Sequence, residues 1–105
     1  LKESLEMLKK ADFLKQNDGY IIDSLGWGFY LNNNYVEAER LLRKAVELMP
    51  TEPVIIDHYA DILWKLNKNI QARYFWKQAQ NLESSDKEFI DTIKKKIIFG
   101  LVEGS

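Results

Sequence analysis

Cysteine is absent from the 105 residues. This excludes disulfides, thiolate chemistry and Cys-based zinc sites, and is compatible with any compartment. Proline is scarce: Pro50 and Pro53 are the only two, and they share one turn. No proline therefore interrupts the helix-friendly stretches elsewhere. No apolar run approaches the roughly 20 residues of a transmembrane helix, so membrane insertion is not expected. Neither sign of charge dominates, since 15 basic and 16 acidic residues leave a formal net charge of −1. That balance argues against nucleic acid as a ligand, because such affinity comes mostly from clustered Lys and Arg. What remains is 46% hydrophobic and 30% charged, which suits one ordinary domain and not a disordered tail. Position 1 is Leu instead of Met, so the expectation is a processed product or a piece of a larger protein.

The informative presence is a repeat. Asp23, Leu25, Gly26, Ala38, Leu42 and Ala45 recur thirty-four residues later as Asp57, Tyr59, Ala60, Ala72, Trp76 and Ala79. A fixed period of this length marks stacked helical hairpins, in which no single unit can bury its apolar face alone. Turn signals and a 3.6-residue apolar period divide the chain into six predicted helices. They run over about 1–16, 20–31, 35–49, 53–66, 70–82 and 87–99. Asp18 is a good N-cap for the second, and Pro53 suits the first turn of the fourth. The Asn-rich turns 32–34 and 67–69 suit Asn because it tolerates a left-handed backbone. Expected inward residues are Ile22, Leu25, Gly26 and Phe29, then Ala38, Leu41, Leu42, Ala45 and Leu48, then Ile56, Tyr59, Ala60 and Leu63. The fifth helix adds Ala72, Phe75, Trp76 and Ala79. The last carries Phe89, Ile90, Ile93, Ile97 and Ile98.

Ile22-x-x-Leu25-Gly26-x-x-Phe29, followed by Ala38-x-x-x-Leu42-x-x-Ala45 and Pro50, resembles a tetratricopeptide repeat. Ile22 stands where the usual pattern has Trp, and Phe29 where it has Tyr. The second copy, Ile56-x-x-Tyr59-Ala60-x-x-Leu63 and Ala72-x-x-x-Trp76-x-x-Ala79, departs further, with Ser84 at the place of the closing Pro. The same register maps Leu8 and Ala11 onto Leu42 and Ala45, and Ile90, Ile93 and Ile97 onto Ile56, Tyr59 and Leu63. The resemblance thus implies an all-α fold, a right-handed α-α superhelix in a single domain over 1–105. Its parts are a half repeat (1–16), two repeats (19–52 and 53–86) and a C-terminal capping helix (87–99). The wording at 23–27 and 57–61 also resembles bacterial, particularly alphaproteobacterial, repeat proteins of unassigned role, some of them long and exported.

In this family the first helix of each hairpin lines a concave surface. Carried onto this chain, the resemblance implies a partner-binding stripe of Tyr20, Asp23, Trp27, Tyr30, Asp57, Asp61 and Trp64. Aromatic residues in a concavity are typical anchors, and Asp23, Asp57 and Asp91, one period apart, would form an acidic ladder. The alternative is that the rings pack between hairpins and the aspartates serve the early helix turns. A Lys/Arg/Asn carboxylate clamp, known from some family members, is not found on this face, so chaperone C-terminal tails are not expected as ligands. His58, beside Asp57 and Asp61, reads as an exposed or partner-packed residue and not as a metal ligand. Arg40, Arg43 and Lys44, and likewise Lys94–Lys96, read as solvated charge.

The expected function is a scaffold that holds a protein or peptide, with no catalysis, no cofactor and no metal. Two alternatives are carried: a structural or self-association segment of a longer solenoid, in which Leu1, Leu5 and Leu8 would be covered by another copy, and a substrate-recruiting accessory domain of a larger enzyme.

Overall fold

The computed structural model describes residues 18–101. The predicted first helix and the tail beyond Leu101 lie outside them. Among the described residues there are five helices and no strand: α1 (Gly19–Leu31), α2 (Tyr35–Leu48), α3 (Pro53–Lys65), α4 (Asn69–Gln80) and α5 (Lys87–Phe99). The predicted bounds hold within two residues at every end.

Local chemistry sets those ends. The Asp18 carboxylate accepts hydrogen bonds from the Tyr20 and Ile21 amides at 3.0 and 3.2 Å, and Asp86 accepts from the Phe89 amide at 2.8 Å. Each satisfies donors that the first helical turn leaves free. At the other ends of α1 and α3, Asn33 and Asn67 both sit at φ 64°. There the Asn34 amide reaches the Phe29 carbonyl and the Lys68 amide reaches that of Leu63, both at 2.9 Å. This is the paired-bond termination that a left-handed residue permits, and it recurs one period apart.

Consecutive helices pack antiparallel, α1 on α2, α2 on α3, α3 on α4 and α4 on α5, and α1 also touches α3. The small residues lie at the crossings: Ala38, Ala60 and Ala72 are 0% exposed. A Cβ added at Gly26 would collide with Leu42 and come within 3.2 Å of the Leu41 Cβ. A methyl there would oblige the Leu42 side chain to shift, so the α1–α2 approach favours the smallest residue. The core is one continuous cluster from Ile22 through Leu41, Leu42, Tyr59, Leu63 and Trp76 to Ile93.

Four residues depart from the predicted core, in two ways. Ile55 and Ile62 are fully buried although the hairpin stripe does not contain them. They occupy a second face of α3, the one turned to the preceding hairpin, because α3 is flanked on both sides. Leu48 and Ile98, predicted inward, are exposed, and each lies in the last turn of its helix.

Candidate functional site

Two clusters occupy the inner faces of α1, α3 and α5. In the first, α3 meets α1 through His58, whose Nδ1 lies 2.8 Å from the Asp23 Oδ1. The His58 ring stacks on the Trp27 indole at 4.1 Å between centroids, and Tyr30 stacks on the same indole at 4.4 Å. Trp27 is thus packed against one ring from its own helix and one from α3. Tyr35 of α2 tilts against Tyr30 at 5.5 Å. Helical spacing explains the Trp27–Tyr30 pair, three residues apart on one face. Burial, and then the nearby Asp61 carboxylate, push the Tyr30 phenol up to about 12. It stays a neutral hydrogen-bonding group at any ordinary pH.

In the second cluster, α3, α4 and α5 share one polar knot. The Trp76 indole N–H points at Asp57 and Asp61, 3.1 and 3.2 Å away. Lys96 donates to Asp57 at 2.9 Å and to both oxygens of Asp61 at 3.1 and 3.2 Å. One ammonium thus faces two carboxylates. Burial, reinforced by the charge of Asp57, raises Asp61 to about 6 in spite of Lys96 and the indole. Lys96 moves up as well: burial opposes its charge, but Asp61 and Asp57 outweigh that penalty. The two directions are compatible, because the cation is well compensated while the second carboxylate is the group that resists ionising.

Trp64 lies beside this knot. Its ring is 5.7 Å from Trp76, carries the Arg73 guanidinium at 5.0 Å, and abuts Gly100 so closely that a Cβ there would collide with the indole. Gly100 has φ 72° and ψ −163°, a conformation essentially restricted to glycine.

Six of the seven residues of the predicted stripe thus fall in or beside these two clusters, partly or fully buried and engaged by neighbouring side chains. Asp23 and Trp27 tie α1 to α3 through His58, Tyr30 packs on Trp27 and on Tyr35 of α2, and Asp57, Asp61 and Trp64 tie α3 to α4 and α5. Asp61 is buried, and the Trp27 ring is stacked with both His58 and Tyr30. Tyr20 is the open member, 54% exposed, its hydroxyl donating to Glu52 at 2.9 Å. Val54, its counterpart one period on, is exposed too, as is Asp91, the third rung of the expected acidic ladder.

Lys96, Trp76 and Arg73 were not legible as partners of this face. A signal for Lys96 exists: one period earlier its position is Ile62, fully buried. A lysine at an inward register calls for a carboxylate. Among the described residues His58 bonds to no Ser, Thr or Tyr hydroxyl, and no group of three His, Asp or Glu side chains is placed to hold a metal ion. No helix among them is long and apolar enough to cross a membrane.

No family model matches the chain. A TPR repeat-containing protein of Pseudomonas aeruginosa is 38% identical over 52 residues, which is 50% of this chain and 9% of that relative. The chain thus aligns with a small part of a much longer protein. Antiparallel helical hairpins that recur every thirty-four residues, small residues at their crossings, and this similarity fit a tetratricopeptide-repeat protein.

Proposed function

We propose that this segment is a protein-interaction scaffold, and that the face formed by α1, α3 and α5 receives a peptide or a partner protein. The observation that carries this is the contact of α1 with α3, while α2 and α4 share at most a marginal one. First helices drawn together and second helices fanned apart bend a helical stack toward the α1–α3 side, as in extended solenoids. That side presents Tyr20 and Val54 one period apart, both open.

Of the seven residues proposed for the site, Tyr20 is the open contact residue, and Tyr30 and Trp64 are partly exposed at the far ends of α1 and α3. Asp23, Trp27, Asp57 and Asp61 hold the face in shape, and their charges are largely spent on His58, Lys96 and the Trp76 indole. The partner is accordingly selected by apolar and aromatic contact more than by basic charge. We assign the segment binding and no reaction. Similarity to a repeat-containing protein supports the binding reading and identifies no partner.

Site-specific photocrosslinking tests the proposal. A photoreactive phenylalanine analogue at Tyr20 or Val54 is expected to capture a partner, whereas one at Tyr74, equally open on α4, is not. Capture from Tyr74 alone would overturn the choice of face.

A further inference from the structure

α5 differs from the other helices in what holds it. Along its thirteen residues it buries one side chain, Ile93, whereas α3 buries eight. Phe89 and Ile97 are partly covered by the core, and Ile98 and Phe99 are 66% and 69% exposed. The rest of its attachment is polar. Lys96 enters the Asp57–Asp61 pair, the Arg73 Nε donates to the Ile97 carbonyl at 2.9 Å, and Gly100 rests on the Trp64 indole. The connection to α4, residues 81–86, is non-helical.

Elements with few buried apolar contacts open before the body they rest on. A buried ion pair adds little net resistance to such opening, because both partners regain water when they separate. It does decide where the helix lands. We propose that α5 is a detachable strap, latched at Lys96, which lifts from α3 and α4 as a unit while α1 to α4 stay folded.

Removing one partner of the latch, Lys96, is a different matter, because it leaves Asp57 and the buried Asp61 without their cation in the closed form. The open form exposes both carboxylates, the Trp76 indole N–H and the apolar floor under Ile93. That floor is the surface on which another hairpin, or another chain, would have to compete with α5.

Native-state hydrogen exchange on the full chain, read amide by amide, tests this. The α5 amides are expected to share one opening constant, at least about tenfold larger than that of the slowest amides in α1 to α4. Lys96→Ala is expected to raise the α5 constant by about tenfold or more and to leave α1 and α2 unchanged. Lys96→Met, which keeps the aliphatic stem, should do the same, and Lys94→Ala, exposed on the same helix, should do nothing. Exchange of α5 together with α1 to α4 at one common constant would overturn the proposal. So would acceleration of all five helices alike by Lys96→Ala or Lys96→Met.

Discussion

At the scale of single residues, three kinds of position make exacting demands. Asn33 and Asn67 adopt a left-handed backbone at φ 64°, which costs a residue with a Cβ roughly 1–2 kcal/mol unless local hydrogen bonding offsets it. Asn33→Ala is expected to lower stability by about 1 kcal/mol, and Asn33→Gly to leave it equal or better, both read as urea midpoints. A more stable Ala variant would contradict the turn geometry. Gly26→Leu is expected to cost roughly 1–3 kcal/mol by overpacking against Leu42. The third is Asp61. Its pKa is raised to about 6 from 3.8 by burial and by Asp57, so the folded state holds the proton more tightly than the unfolded chain does. That contribution to stability is present at acid pH and is lost as the pH rises from about 4 through about 6. Asp61→Asn cannot titrate. Wild type should therefore gain on the variant as the pH falls from 6.5 to 4.5, in paired urea titrations at each pH. A constant gap between the two would remove the burial account of Asp61.

At the scale of elements, helix ends were written locally and interhelical polar pairs were not. Asp18, Asn33, Pro53, Asn67 and Asp86 act within a few residues of themselves, and each could be placed from its immediate neighbours. The stripes with a thirty-four-residue period were legible for the same reason, since the constraint repeats. Lys96 pairs with residues 35 and 39 positions away, and His58 with one 35 away. Neither separation has a local signature, and the aspartates therefore read as free when they are engaged. Trp27 and Trp64 show the related ambiguity of aromatics. Composition marks them as large contact surfaces, and only the fold reveals that a histidine, a tyrosine, an arginine or a glycine already covers their faces. The N-caps give the check at this scale. Asp18→Ala removes the acceptor for two amides and is expected to cost about 1 kcal/mol. The loss should show first as faster hydrogen exchange in the first turn of α1. Unaltered exchange there would mean the cap contributes nothing.

At the scale of the whole molecule, a stacked array unfolds as one only if the hairpins are coupled across their seam. Here the seam between the α1–α2 and α3–α4 hairpins consists of Ile55 and Ile62, both fully buried, and of His58 wedged between Asp23 and Trp27. Leu42, by contrast, lies inside the first hairpin, under Gly26. Truncating either residue to Ala removes similar apolar volume and should cost about 2–5 kcal/mol. Their effects on cooperativity should nevertheless differ. Leu42→Ala weakens one hairpin but leaves the coupling intact, so the urea transition should move to lower concentration with its slope kept. Ile62→Ala weakens the coupling itself, so the two hairpins should begin to unfold separately, and a two-state fit should return a smaller slope. Equal slopes for the two variants would mean that the seam does not carry the cooperativity. The packing of α1 on α3 that bends the stack would then have to be attributed to contacts other than Ile55, Ile62 and His58.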